Sequence, residues 1–313
     1  MDNLQFQQLI AELGELTEVQ RQTIAAMLSG DGDLAEVTSL IEARFAVQAI
    51  CPHCQSENVG SWGRACGLKR YRCRDCRKSF NALTGTPLAR LHKREAWKTY
   101  AQAVADSVSV RKAARKAGVS VPTAFRWRHR FLSLAKDNKA GAVSGIVEAD
   151  ETFFLKSFKG ARNTGRAPRK RGGTASKPGA SDEQVPVLVL RDRSGATADG
   201  VLESLKVAEF YRVLTLVVAK DTVLVSDGAR AYASFATENG LGHVGLCARD
   251  GERSRGVFHI QNVNAYHSRL KTWMRRFNGV ATKYLPSYLG WRRMFESKGD
   301  DISSQRCLLA ALA

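Results

Sequence analysis

The sequence lacks any long hydrophobic run. Its longest apolar stretch is VLTLVVA at residues 213–219, far shorter than the ~20 apolar residues that a membrane-spanning helix needs. The N-terminal stretch MDNLQFQQ has neither the basic start nor the apolar core of a signal peptide. These two absences argue against membrane insertion and secretion, and they predict a cytoplasmic protein.

The sequence also has too few acidic residues to balance its basic ones. It contains 48 Lys and Arg against 30 Asp and Glu in 313 residues, which gives a formal net charge of +18. The imbalance is local, because residues 1–50 carry a net charge of −6 whereas residues 51–140 carry +15. This distribution favours a nucleic-acid partner, and the length allows two or three domains.

Cysteine is concentrated in two close pairs. CPHC at residues 51–54 and CRDC at residues 73–76 form the pattern C-x2-C-x18-C-x2-C, which predicts a zinc ribbon over residues 51–85. The predicted ligands are Cys51, Cys54, Cys73 and Cys76. Four thiolates leave no open coordination position, so the Zn²⁺ is expected to be structural and not catalytic.

The ribbon and the segment after it have features of a DNA-binding unit. Basic and aromatic residues are interleaved in the ribbon, which predicts phosphate contacts by Arg70 and Arg72, with a solvated charged surface as the alternative. Residues 86–140 contain an alanine-rich helix, a turn at residues 118–120 and a second helix opening near Pro122, as in a helix-turn-helix. The second helix would present to DNA Thr123, Arg126, Arg128 and Arg130. Many helical hairpins share this spacing, and it is the preceding basic ribbon that favours DNA binding.

Helices are predicted before the ribbon and a mixed sheet after the helix-turn-helix. Residues 1–50 carry apolar residues at helical spacing, with capping-box pairs at Thr17–Gln20 and Asp33–Glu36. They predict two or three helices that act as a cap or a self-association element. Over residues 141–313, short apolar runs bounded by turn signals predict strands mixed with helices.

A basic insertion, residues 156–184, interrupts this last domain. Between Lys156 and Lys177 it has eight basic and no acidic residues, together with several glycines. We expect a mobile loop that orders on nucleic acid, with Lys170 and Arg171 as candidate DNA contacts.

Two apolar runs in the C-terminal domain end at an aspartate. SGIVEADETFF contains Asp150, and TVLVSDGARAY contains Asp227. If the two runs are neighbouring strands, the carboxylates can meet, and hard oxygen ligands in a basic protein indicate a Mg²⁺ site. Alternation along the strand is expected to turn Glu148 and Glu151 away from Asp150, which makes them secondary candidates.

The segment NVNAYHSRLKTWMRRF is predicted to be an amphipathic helix. Its apolar stripe includes Tyr266 and Trp273, and its polar stripe includes Asn264, His267 and Lys271. The polar stripe is either an ordinary solvated face or a source of further ligands, and periodicity does not separate the two interpretations.

Together, these motifs resemble those of bacterial insertion-sequence transposases with an RNase H-like, DDE-type core. The resemblance rests on the order zinc ribbon, helix-turn-helix, AD-E-TF at residues 149–153, SDGARAY at residues 226–232 and H-x4-N-x6-K from His259 to Lys271. More narrowly, the chain is similar to the zinc-ribbon, ISXO-like group, in which the third acidic position can be Asn, followed seven residues later by Lys.

The resemblance implies roles for the matched residues. Asp150 matches the first catalytic aspartate, Asp227 the second and Asn264 the third metal-site position, while Lys271 matches a lysine that contacts a phosphate near the scissile bond. Two departures matter. Asn264 supplies a neutral oxygen in place of a carboxylate, and His267 stands where many relatives carry Trp.

The resemblance also implies a fold and a function. The expected fold class is multidomain α/β (α+β), with N-terminal helices, a zinc ribbon, a helix-turn-helix and an RNase H-like mixed sheet flanked by helices. The expected function is a DNA transposase that uses two Mg²⁺ or Mn²⁺ ions to cut at transposon terminal inverted repeats and to join the ends to target DNA. Because two ends must meet in one complex, a homodimer or a larger assembly is expected.

Two other functions stay open at this point. The chain could be a DNA-binding regulator whose RNase H-like domain is inactive, with Asn264 as the change that removed activity. It could also be a metal-dependent nuclease that cuts DNA without joining it.

Overall fold

The structure is a computed structural model that describes residues 2–137, 141–161, 167, 172–177, 180–247, 251–298 and 302–312. Its helices are α1 Asn3–Gly14, α2 Glu18–Val47, α3 Trp97–Ala105, α4 Val110–Lys116, α5 Val121–Phe131, α6 Val207–Val217, α7 Arg230–Glu238, α8 Gln261–Arg275, α9 Leu285–Lys298 and α10 Ser304–Leu312. Its strands are β1 Val59–Ala65, β2 Leu68–Cys73, β3 Ser79–Asn81, β4 Ile146–Leu155, β5 Gln184–Asp192, β6 Thr197–Val201, β7 Val223–Ser226, β8 Gly242–Gly245, β9 Ser254–Arg255 and β10 Phe258–His259.

Two helices precede the ribbon. The capping box predicted at Thr17 is confirmed, because the Thr17 side chain accepts from the Gln20 N–H and the Gln20 side chain accepts from the Thr17 N–H. The second predicted cap is wrong, since α2 continues through Asp33 and Glu36 as one helix. Those two carboxylates instead bind the Lys98 ammonium, at 3.0 and 2.6 Å, and so hold α2 against α3.

The ribbon is an antiparallel sheet in the order β1-β2-β3. Aromatic packing joins it to α2, because the ring of Tyr71 lies 4.6 Å from Phe45 and 5.9 Å from Phe80 between centroids. The Tyr71 hydroxyl donates to Glu42 at 2.9 Å, and burial together with this carboxylate raises the pKa of Tyr71 to about 12. The ribbon therefore shares a core with the N-terminal helix and is not an isolated module.

Helices α4 and α5 form the helical pair expected after the ribbon. Ser109 and Ser120 cap their N-termini by accepting from backbone N–H groups. Gly118 makes the turn between them with φ +61°, a conformation that a Cβ disfavours. Ala113 and Trp127 are buried where the helices pack.

The C-terminal half is built on a mixed five-stranded sheet. Its strand order is β6-β5-β4-β7-β8, with β4, β5 and β6 antiparallel and with β7 and β8 parallel to β4. Successive side chains alternate between the faces, so Val147 and Ala149 pack with α6 and α7 whereas Val187 and Val189 pack with α8 and α9. The predicted mixed α/β class is confirmed. Within the described ranges, no helix combines the length and the apolarity needed to cross a bilayer.

One core joins the helices after the ribbon to the C-terminal helices. α10 returns to pack on α3 and α5, where Cys307 and Leu308 are buried. On α8, the Trp273 indole donates to Ser107 at 2.9 Å, in the connection between α3 and α4. Residue 140 stays a predicted domain boundary along the chain, although a single cluster of buried side chains spans it.

Arg128 corrects one of the predicted DNA contacts. Its relative exposure is 0%, so it cannot reach DNA from the surface of α5. Helical periodicity explains this burial, because Arg128 lies four residues after Ala124 and one after Trp127, on the face that packs into the core. The guanidinium donates to the Val108 carbonyl at 2.7 Å and lies 4.8 Å from the ring centroid of Trp291. Arg128 therefore joins α5 to α9.

We predict that Arg128→Ala lowers the free energy of unfolding by about 3 kcal/mol, because it leaves a cavity and removes a desolvated cation–π contact. Arg126→Ala, an exposed change on the same helix, should alter it by less than about 0.5 kcal/mol. Chemical denaturation of the two variants measures the difference. Equal stability of both variants would contradict the structural role of Arg128.

Candidate functional site

The first candidate site is the four-cysteine cluster of the ribbon. Its two halves have the same backbone form, since Gln55 after Cys54 and Arg77 after Cys76 both adopt left-handed conformations, with φ of +62° and +58°. Each turn is closed by backbone hydrogen bonds, from Gln55 to Cys51 at 2.9 Å and from Cys73 to the Lys78 carbonyl at 3.0 Å. The N–H groups of Cys76 and Asp75 lower the pKa of the Cys73 thiol to about 7.

The four thiols are spaced as a tetrahedral metal site requires. The Sγ atoms of Cys51 and Cys76 are 3.7 Å apart, and those of Cys54 and Cys73 are 3.6 Å apart. Ligands on a tetrahedron with Zn–S bonds of about 2.3 Å would lie about 3.8 Å from one another. All four can offer a ligand atom within 4.8 Å of the others. The donor set therefore fits one zinc ion, whereas Cys66 is exposed and outside the cluster.

The predicted DNA contacts of the ribbon and of α5 fall into two groups. On the ribbon, Arg70 donates to Ser79 at 3.1 Å, and Arg72 lies over the exposed ring of Trp62 at 4.6 Å from its centroid. On α5, Arg126 and Arg130 are exposed. Arg126 and Arg130 are thus exposed and Arg70 and Arg72 partly exposed, unlike Arg128.

The other three predicted DNA contacts are Thr123, Lys170 and Arg171. Thr123 is half-buried and its hydroxyl lies 2.9 Å from that of Ser120, so it belongs to the cap of α5. Lys170 and Arg171 lie outside the described residues.

The second candidate site lies where β4 and β7 stop pairing. The register runs from Ile146 opposite Val223 to Glu148 opposite Val225, so its continuation brings Asp150 beside Asp227. Asp227 accepts from the N–H of Ala229 at 3.0 Å, in a turn that Gly228 makes with φ +87°. The sequence prediction that the two aspartates converge therefore agrees with the strand pairing.

Glu151 joins the two aspartates, contrary to the expectation that alternation would remove it. Asp150, Glu151 and Asp227 each offer a carboxylate oxygen within 4.8 Å of the others. Asp227 lies in the turn beyond β7, where it can approach side chains from either face of β4. Tyr232 on α7 donates to Glu151 and holds that carboxylate where the pairing of β4 and β7 ends. The adjacent Asp-Glu pair and the Tyr of SDGARAY are the sequence signals that could have indicated this.

The electrostatics of the cluster favour a cation. Burial, with the negative charge of Asp227, raises the pKa of Asp150 to about 6. Burial also raises the pKa of Glu151 to about 7, and both aspartates add to the effect. Neighbouring carboxyls that hold their protons this strongly are typical of a site that lacks a compensating positive charge.

Helix α8 supplies the opposite wall of the site. The Nδ1 atom of His267 lies 3.7 Å from Asp150, and His267 is only 7% exposed. Burial and the charge of Lys271 lower the pKa of His267 to about 4, so its ring is neutral at neutral pH. Asn264 and Lys271 are exposed and lie on the same helical face, three residues before and four after His267.

Of the three residues predicted on the polar stripe of α8, His267 contacts Asp150, whereas Asn264 and Lys271 are exposed. The sequence placed His267 on the polar stripe but did not indicate its contact with Asp150. Burial raises the pKa of Asp150, and Lys271 lies near enough for its charge to oppose part of that rise.

Glu148 lies on the same face of β4 as Asp150, because side chains two residues apart share a face. The expectation that it turns away from that face is wrong. It is fully buried and contacts the start of α8, where it accepts from the Val263 N–H at 3.0 Å.

The site lies in a segment that is similar to a known protein family. Residues 142–292 match the ISXO2-like transposase domain, a range that contains Asp150, Asp227, Asn264 and Lys271. The chain is 28% identical over 274 residues to an uncharacterized protein in the transposable element ISH50 of Halobacterium salinarum, across 84% of this chain and 91% of that protein.

Solved structures give weaker likenesses. This chain is 13% identical to a chain of the Mos1 strand transfer complex. The TM-score is 0.30, and the match covers 69% of this chain and 74% of that one. A pre-cleavage Mos1 transpososome is also 13% identical, with a TM-score of 0.22 over 69% and 79% of the two chains. Neither score supports a structural argument. The family match over residues 142–292, together with the carboxylate cluster inside it, supports an insertion-sequence transposase with an ISXO2-like transposase domain.

Proposed function

We propose that the chain binds the ends of its transposable element and catalyses metal-dependent DNA cleavage and strand transfer. The observation that carries this proposal is the gathering of three carboxylates where the pairing of β4 and β7 ends, opposite a helix that presents Asn264 and Lys271. The strand order β6-β5-β4-β7-β8, with the first aspartate on the central strand, supports an RNase H-like core.

The carboxylate cluster suits a divalent metal ion. Asp150 and Asp227 would be its main ligands, Glu151 would add a third carboxylate, and Asn264 would add a neutral oxygen. Hard oxygen donors of this kind suit Mg²⁺ or Mn²⁺. When bound, such ions activate the attacking oxygen and stabilise the charge that develops on the phosphate.

The residues around the cluster have separate tasks. The Glu151 N–H donates to Asp150 at 2.9 Å, and Tyr232 donates to Glu151, so both carboxylates are oriented before substrate binds. Lys271 is exposed near Asp150 and would contact a phosphate next to the scissile bond. The neutral ring of His267 limits the access of water to Asp150 from the side of α8.

Recognition of the transposon ends is assigned to the zinc ribbon and α5. Arg70, Arg72, Arg126 and Arg130 supply cations along this surface, and phosphate contacts by such residues give affinity while contacts to base edges give specificity. Joining two ends needs two copies of the chain, and the exposed Leu4, Phe6 and Ile10 of α1 support an interface there.

The central prediction concerns strand transfer of a labelled end duplex into plasmid DNA. Asp150→Ala and Asp227→Ala should each reduce the rate by about 10³-fold or more, because metal-ligand loss removes several kcal/mol of transition-state stabilisation. The control is Asp221→Ala, an exposed aspartate just before β7, which should leave the rate unchanged.

The wild-type products decide among the alternatives. Binding of ends without cutting or joining would favour a regulator with an inactive domain. Cut ends that are never joined would favour a nuclease.

A second prediction concerns the ribbon. Purified protein should contain about one zinc per chain by elemental analysis, and Cys73→Ser should lose it and lower the free energy of unfolding by about 3 kcal/mol or more. Affinity for the end duplex should fall with it, because the arginines of β2 lose their scaffold. Cys66→Ser, in the same ribbon but outside the cluster, should keep the zinc; equal loss in both variants would refute the assignment.

A third prediction concerns proton competition at the carboxylate cluster. Protons occupy Asp150 and Glu151 below pKa values of about 6 and 7, and metal binding must displace them. The apparent Mn²⁺ affinity should therefore fall roughly 100-fold from about pH 7.5 to about pH 5.5. Glu151→Gln removes the group with the higher pKa, so its decrease should be only roughly fourfold. Calorimetric titration measures both, and an identical pH dependence in the variant would exclude Glu151 from the site.

A further inference from the structure

Glu148 is a buried carboxylate that the proposed chemistry does not use. It lies on β4 two residues before Asp150, and its relative exposure is 0%. Oε1 accepts from the Asn262 amide at 2.8 Å, forms an ion pair with Arg193 at 2.8 Å, and lies 3.2 Å from Nδ1 of His259. Oε2 accepts from the Val263 N–H at 3.0 Å.

These contacts concentrate on the beginning of α8. The first N–H groups of a helix have no partner within it and carry a partial positive charge, so a carboxylate there satisfies both. Glu148 satisfies the N–H of Val263 and also holds the neighbouring Asn262 side chain. The end of α8 is thus attached to β4 by a side chain from the strand itself.

The attachment sets the position of the candidate site residues. Asp150 is on the strand, and Asn264 is the residue directly after Val263 on the helix. His267 and Lys271 follow on the same helical face. A shift of the start of α8 relative to β4 would move all three helix residues away from Asp150 together.

The ion pair with Arg193 offsets the desolvation of the buried Glu148 carboxylate. The Arg193 guanidinium bridges to the Val257 carbonyl at 2.8 Å and to the ring of His259 at 2.8 Å, just before α8. A buried carboxylate that accepts from Asn262 and Val263 and pairs with Arg193 is held in one geometry.

We propose that Glu148 is a positioning residue that fixes α8 against β4 and so sets the distance between Asp150 and the side chains of Asn264 and Lys271. This rests on the proposed function of the site. Glu148 does not touch substrate or metal; it acts through the helix.

The test uses Glu148→Gln in the full chain. Glutamine has nearly the same shape as glutamate but only one acceptor oxygen. Its NH2 group must therefore face another donor, either the Val263 N–H or the Arg193 guanidinium. Hydrogen exchange at the first-turn amides of α8 should become roughly tenfold faster. The strand-transfer rate should fall about 10²-fold, since small misplacements of reacting groups have effects of that size. Affinity for the end duplex should stay the same.

The matched control is Asp199→Asn. Asp199 is also a buried carboxylate of the sheet, 3% exposed, and it pairs with the buried Arg293 on α9. It should lower the unfolding temperature about as much as Glu148→Gln while leaving the transfer rate and the exchange of α8 unchanged. Equal effects of both variants on transfer would show that Glu148 contributes only general stability and would overturn the proposal.

Two further experiments cover the cases in which Glu148→Gln does not fold or the wild type does not join DNA. If Glu148→Gln does not fold, Asn262→Ala removes one contact of the same carboxylate, and it should show the same changes at smaller size; unchanged exchange and transfer would overturn the proposal. If the wild type does not join DNA, the proposed function fails. Hydrogen exchange at the first-turn amides of α8 and the Mn²⁺ affinity of Glu148→Gln would still report whether the Glu148 carboxylate fixes the helix.

Discussion

The parallel pairing of β4 with β7 is the constraint on which the candidate site depends. It continues from Ile146 opposite Val223 and leaves Asp150 and Asp227 together at its end. Both faces of β4 are covered, so a slip of one residue would reverse every buried side chain and separate the aspartates. The carboxylates are therefore brought together by the burial of residues such as Val147 and Ala149, and not by any attraction between them.

Gathering like charges at one site is destabilising, and the fold offsets this with nearby donors. Tyr232 donates to Glu151, the Glu151 N–H to Asp150 and the Ala229 N–H to Asp227. These donors do not restore ordinary proton affinities, because the pKa values of Asp150 and Glu151 stay raised to about 6 and about 7. The remaining repulsion is what a divalent cation would relieve, so on the proposed function it would contribute to affinity for the ion.

The sequence reveals those parts of the site that depend on local pattern. The four-cysteine cluster follows from spacing within two short turns, and Asp150 and Asp227 follow from apolar runs that each end at a carboxylate. The rest depends on tertiary contacts. Glu151 belongs to the carboxylate cluster because Tyr232 and the turn at Asp227 lie against it. Arg128 is buried because Trp291, which is distant in the sequence, packs against α5. Helical periodicity places Arg128 on the inward face of α5, but its basic character masks that position, and the burial becomes evident only from the tertiary contacts.

Helix α8 belongs to both halves of the molecule. One face lies against Asp150 through His267, and the other packs through Trp273 on Ser107 and on Trp291, whose ring also meets Arg128 of α5. Close-packed cores of this kind do not deform gradually. The surface assigned to end recognition and the carboxylate cluster are thus held at a fixed separation. On the proposed function, that separation selects which phosphate reaches Asp150, so the position of the cut follows from the packing of α5, α8 and α9 and not from contacts at the scissile bond alone.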